Sequence, residues 1–244
     1  MIKKLLLILL LCSTSFGAWG TLEDFTTYTE VDTQGYLTVA ANTITWTNFD
    51  SRVDTAYVYK DKGAAHFSGD FTHRFKWNVT ACDADNIAHP YMLANSVGDR
   101  HDIQVGSSED AVFITWYNNS GTHTIYLQVS ENGSATSDNY AGASLSTDYY
   151  LTLDRDDDGG ANNTGQYTLY ICTTNYHGEA GSVAVDTLQV DSSAGEQNDF
   201  RYVYGTSSYD DGSAIQRLIS GTVKDLDLNE ATAGGASQVI IIPN

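Results

Sequence analysis

The chain has 244 residues, 41% of them apolar, and carries thirty-one acids against twelve lysines and arginines for a net charge of −19. That balance argues against a nucleic-acid partner, since phosphate binding needs a basic footprint that this chain lacks. The length suits one sizeable domain with a full core.

The first residues have the order of a secretory signal. Lys3 and Lys4 precede an apolar run from Leu5 to Leu11, and small residues follow through Ser15-Phe16-Gly17 and Ala18-Trp19-Gly20. The run is too short to span a bilayer as a helix. Cleavage is expected after Gly17 or Gly20, leaving a secreted or cell-surface protein. Cys12 raises a lipoprotein reading, which Leu11, a large residue just before it, fits poorly. Loss of Lys3 and Lys4 removes two positive charges and takes the net charge from −19 to −21.

Beyond residue 20, turn residues interrupt short alternating runs, the spacing of a sandwich or barrel. Strands are predicted at Tyr36–Ala40, Thr43–Thr47, Thr55–Lys60, Asp70–Thr80, Tyr91–Asn95, His101–Val105, Ala111–Tyr117 and Thr122–Ser130. More follow at Tyr149–Asp154, Gln166–Thr173, Ser182–Val190, Asp199–Tyr204 and Leu218–Leu228, with no helix among them. The alternation also assigns faces: Phe75 and Trp77 oppose Arg74 and Lys76; Ile125 and Leu127 oppose Tyr126 and Gln128. Tyr149, Leu151 and Leu153 oppose Tyr150, Thr152 and Asp154, while Leu169 and Ile171 oppose Tyr170 and Cys172. One apolar side per strand is what antiparallel sheets covered on a single face require.

Cys82 and Cys172 are the cysteines beyond the signal. In an oxidising space they form either one disulfide, closing a loop of about ninety residues, or two unrelated buried thiols. After Leu228, Ala231–Ser237 has linker composition, and Val239–Ile242 is either a terminal strand completing a sheet or an exposed strand for a partner. The domain is thus expected over residues 21–228, between the signal at 1–20 and a tail at 229–244. No apolar stretch outside the signal approaches membrane length.

The hairpin Tyr149–Asp154, acidic turn, Gln166–Cys172, then Val185–Val190, resembles concanavalin A-like lectin/glucanase domains, the laminin-G-like jelly rolls. Leu218–Leu228 is similar to their final strand, which pairs back near the amino terminus, and Ala56–Gly63 with Phe67–Phe71 resembles a block of exported or phage-associated members. The resemblance implies an all-β, antiparallel two-sheet jelly-roll sandwich that binds glycans on a sheet face or edge loops, often with calcium nearby. The Glu-x-Asp-x-x-Glu strand of the hydrolytic members is absent. His101–Val105 lies in a comparable setting, but its single aspartate cannot supply both carboxyl groups of a retaining glycosidase.

Two local arrangements carry candidate chemistry. Asp154-x-Asp156-x-Asp158-Gly159 matches the opening of a calcium loop, with Asn162 at the ninth position but Gly165 where the closing Glu belongs, so it is a lone calcium site or a solvated acidic turn. Tyr126, Tyr150 and Tyr170, with Gln128, Arg74 and Thr152, form a candidate sugar-binding face, the alternative being ordinary exposed strand tyrosines. Trp116, Tyr117, Tyr140 and Tyr209 are edge-loop candidates. The six histidines show no zinc spacing.

The expected function is a secreted, non-catalytic carbohydrate-binding domain at a cell or particle surface, with a glycan as partner. The alternative is a structural or adhesion component of a virion or extracellular assembly, contacting itself or other surface proteins. A glycan hydrolase or lyase ranks third, for want of paired carboxylates or a basic catalytic cluster.

Overall fold

The computed structural model describes residues 20–161, 163–193 and 199–230. The expected export signal up to Trp19, the expected linker, the Val239–Ile242 segment and Asn162 lie outside the described residues. Among the described residues fourteen strands, numbered in chain order, form two seven-stranded antiparallel sheets. Sheet I holds β2 (Leu37–Ala40), β3 (Thr43–Phe49), β5 (Phe71–Cys82), β10 (Tyr149–Asp156), β11 (Gln166–Cys172), β12 (Ala184–Asp191) and β14 (Ile219–Asp227), in the order β12-β11-β10-β5-β14-β3-β2. Sheet II holds β1 (Thr29–Asp32), β4 (Ala56–Asp61), β6 (Ile87–Ala94), β7 (Ala111–Asn119), β8 (Thr122–Glu131), β9 (Ser134–Ala143) and β13 (Tyr202–Ser207), in the order β1-β4-β13-β6-β7-β8-β9.

Two-residue turns set the register of the β7-β8-β9 meander. Ser120-Gly121 and Asn132-Gly133 all take positive φ, the conformation that lets a tight hairpin follow the strand twist. The last strand, β14, pairs with both β3 and β5, returning the chain to its amino-terminal part as the resemblance implied. Gly221 permits this approach, because a Cβ there would lie 2.4 Å from the Asn78 carbonyl oxygen on β5.

The sheets close on one another through the apolar residue of each alternating pair. Trp46 and Trp77 from sheet I and Trp116 from sheet II form a chain of edge-on rings, with centroids 6.2 and 5.4 Å apart, and Phe75 stacks on Tyr91 at 5.4 Å. Each large side chain so buried contributes about 1.5–3 kcal/mol.

Three expectations change. Residues 102–106 form a single helical turn instead of a strand, since only Ile103 of His101–Val105 finds an apolar surface, beside Met92, Phe113 and Tyr204. β9 and β1 were not expected, because edge strands with mostly exposed residues show no apolar alternation. Cys82 and Cys172 are free and cannot meet. Cys172 lies across Tyr150 from Lys76, six residues along β5 from Cys82. That is roughly 20 Å along the strand, whereas a disulfide needs Cα atoms within about 7 Å.

Candidate functional site: the outer faces of the two sheets

Pairing of β10 with β11 and β5 puts Thr152 between Tyr170 and Arg74, and Tyr150 between Cys172 and Lys76. With Leu151, Leu153 and Leu169 turned into the core, Tyr150, Tyr170 and Arg74 share the outer face of sheet I. The segment after β11 covers that face. His177 lies parallel on the Tyr170 ring with centroids 3.6 Å apart, and Tyr176 meets Tyr150 edge-on at 5.3 Å. Arg74 sits over Tyr176, 4.8 Å from its centroid, and pairs with Glu179 at 2.8 Å and Asp227 at 3.3 Å. The open tyrosine platform is therefore corrected: rings of this chain already occupy the positions that a sugar would stack on.

Tyr126 and Gln128 do not belong to this face. They project from β8 in sheet II, on the opposite side of the sandwich. Trp116 belongs to neither face, because it is fully buried between the sheets.

The acidic tip is also rearranged. Asp154 and Asp156 are strand residues of β10, two positions apart and so on one face, roughly 7 Å apart along the chain. Arg155 between them points inward, donating to the Phe67 carbonyl at 2.9 Å and pairing with Asp157. Asp158 is exposed in the following turn. Among the described residues no three histidine, cysteine or acidic side chains gather to hold a metal, so the converging calcium loop is not formed by Asp154, Asp156 and Asp158.

The hairpin builds a groove instead, about 600 Å³ in volume, lined by Asp70, Asp154, Asp156, Gln166, Thr168, Tyr170 and Gln189 among others. Its amides are fixed in place: Gln189 Nε2 donates to Gln166 Oε1 at 2.7 Å and Thr168 Oγ1 at 3.2 Å, while Gln166 Nε2 donates to Asp191 Oδ1 at 2.7 Å. Burial pushes the Asp154 carboxyl up from its ordinary range against the hydrogen bond of Thr72, and its Oδ1 has no partner. Burial, then the neighbouring Asp154, likewise raises the Tyr170 hydroxyl.

The outer face of sheet II gathers residues from β4, β6, β7, β8 and β13 and from the connections that carry Arg100 and Tyr209. Tyr59 meets Tyr57, Tyr202 and Tyr204 at 5.8, 5.9 and 5.6 Å between centroids. His89 lies beside Thr115, its Nδ1 2.9 Å from Thr115 Oγ1, which donates to Gln128 Oε1 at 2.8 Å. The hydroxyl's one proton is committed to Gln128, so His89 Nδ1 is the donor, and Nε2 is left unprotonated and without a partner. Arg100 lies over Phe113 and Tyr209, its guanidinium carbon 4.9 and 4.7 Å from their centroids. No local pattern joins His89, Arg100 and Tyr209; the one signal in the sequence is the rarity of arginine itself.

These two sheets define a concanavalin A-like jelly-roll sandwich. Among solved structures, the chain is similar to alginate lyase Aly36B in complex with an alginate trisaccharide, at 11% identity and a TM-score of 0.51, covering 84% of this chain and 88% of that one. It is equally similar to the VIP36 exoplasmic/lumenal domain in its Ca2+/Man3GlcNAc-bound form, at 11% identity and a TM-score of 0.51, covering 83% and 85% of the two chains. At such identity the likeness is one of fold. No protein-family model matches the chain, and no curated protein sequence does.

Proposed function

We propose that the protein is a secreted, non-catalytic carbohydrate-binding domain that holds a glycan in the sheet I groove. The observation that carries this reading is the groove's lining, in which fixed amides, a hydroxyl and carboxylates alternate within a space of about 600 Å³. Sugars are recognised through such groups, and hydrogen-bonding side chains already held in place lose little freedom on binding. The two structural neighbours also hold saccharides, an alginate trisaccharide and Man3GlcNAc. The second of them binds calcium too. Calcium has no part in the present reading, since Asp154 and Asp156 line the groove as strand residues.

A glycan array with the exported chain identifies the ligand, and Gln189→Ala and Asp154→Asn are each expected to weaken it by about tenfold, as loss of one hydrogen bond to a neutral or charged group would. Silence of the wild-type protein across the array, or full affinity in both variants, sinks the reading.

One observation favours hydrolysis as a second reading. Asp154, raised by burial, and Asp156 present two carboxyl groups on one face of the groove, the pairing that glycosidases use as acid and partner. Release of reducing ends from the bound glycan, abolished in Asp154→Asn, would establish it.

A further inference from the structure

On the side of the sandwich away from the groove, Arg100 stands apart from every other arginine described. Arg52, Arg74, Arg155, Arg201 and Arg217 each sit in ion-pair contact with a carboxylate, in a chain with thirty-one acids. Arg100 is only 5% exposed, yet among the described residues no carboxylate lies in ion-pair contact with it, and its Nε has no partner. Its chain neighbour Asp99 is turned away, its two oxygens accepting from the Asp102 and Asp210 backbone N–H groups at 2.9 and 2.8 Å and from Ser208 Oγ at 3.1 Å.

A buried charge is costly unless something pairs with it, so a guanidinium left without a carboxylate beside abundant acids is a candidate to pair with an anion from outside the chain. Burial lowers Arg100 to about 10, which keeps it charged at neutral pH. Backbone bonds hold it in place, since its N–H reaches Ser207 Oγ at 3.0 Å and the Ser208 carbonyl at 3.2 Å. The Phe113 and Tyr209 rings lie against the guanidinium, whose flat fork matches a planar carboxylate in two parallel hydrogen bonds. Gln128, directly across from Phe113 in the β7–β8 register, commits its oxygen to Thr115 and keeps its amide N–H groups for a ligand. Partly exposed tyrosines, Tyr57 and Tyr126 among them, continue the face on either side.

We propose that Arg100, with Gln128 and Tyr209, binds the carboxylate of an acidic saccharide laid across the outer face of sheet II. This site is separate from the sheet I groove and does not depend on it.

Calorimetric titration with short oligosaccharides of galacturonate, glucuronate and mannuronate, each beside its carboxyl-reduced counterpart and a sulfated neutral oligosaccharide of equal length, tests it. At least one uronate is expected to bind about tenfold or more tighter than its reduced form, as loss of a charge-assisted pair implies. Arg100→Met is expected to abolish that preference and Arg100→Lys to reduce it. Gln128→Glu, which sets a carboxylate across from Phe113, the ring that Arg100 lies over, is expected to abolish it as well and serves if Arg100→Met fails to fold. Wild-type binding of none of the uronates, equal binding of acidic and reduced forms, or a preference surviving in the folded Arg100→Met or Gln128→Glu protein overturns the proposal. Equal or tighter binding of the sulfated probe overturns the assignment to a carboxylate.

Discussion

Replacing Trp116 by alanine is expected to lower the unfolding free energy by about 3–5 kcal/mol, the range for truncating a fully buried large aromatic. The ring is sealed between the sheets, edge-on to Trp77 at 5.4 Å and tilted against Tyr149 at 6.3 Å, so its removal opens a cavity at the junction of both layers. Urea unfolding should show a much lower midpoint with an unchanged slope. Glycan affinity of the protein that remains folded should stay at the wild-type value. The opposite pattern, intact stability with lost binding, would return Trp116 to the recognition surface that its place near a loop suggested.

Acidification is expected to destabilise the fold well above the carboxylate range, through two buried histidines. Burial, with Lys62 and His66 adding to it, lowers His73 to about 3, and burial followed by Arg100 holds His89 well below its ordinary 6.5. Above pH 6.5 neither the folded nor the unfolded chain protonates them, and they contribute no pH dependence. As pH falls below 6.5 the unfolded chain takes up two protons at these positions that the folded one refuses, and His123, which burial also lowers, adds to the difference. Stability then drops by up to about 2.7 kcal/mol per pH unit, one proton per histidine. Nearer the carboxylate range opposite effects enter. Asp50, Asp99 and Asp154, raised by burial, protonate more readily when folded and oppose the loss. Asp148, held low by Lys76, adds to it. The histidine slope is therefore read between pH 6.5 and about pH 5, from urea midpoints. His73→Phe should lower it by one proton's share, up to about 1.4 kcal/mol per pH unit, and a flat profile over that window would show that these rings titrate normally in the folded state.

The β10–β11 hairpin shows how far the sequence alone reaches. Its strands fall where alternation put them, and Leu151, Leu153, Leu169 and Ile171 are buried as their spacing demands. The extra strand length, through Asp156, was hidden because two aspartates on an outer face look like a turn. The segment His101–Val105 misled for the reverse reason: alternating polar and apolar residues mimic a strand, but a single buried Ile103 anchors a helical turn equally well. Edge strand β9 left no trace, since an exposed polar strand draws its register from the turn at Asn132-Gly133 and from β8, not from its own composition.

What the sequence determined by itself was the class and the polarity: an acidic all-β sandwich, with one face of each strand that alternation marked assigned to the core. That much is local, because a period of two follows from backbone geometry and from apolar burial within each strand. Alternation states which side of its own sheet a residue faces, but not which sheet the strand joins. Only the tertiary structure therefore parted Tyr126 and Gln128 from Tyr150 and Tyr170, and laid Tyr176 and His177 over the latter pair. The same holds for Arg100, which meets Phe113 and Tyr209 through contacts distant in the chain, and whose missing carboxylate becomes visible only when every other arginine's partner is in place.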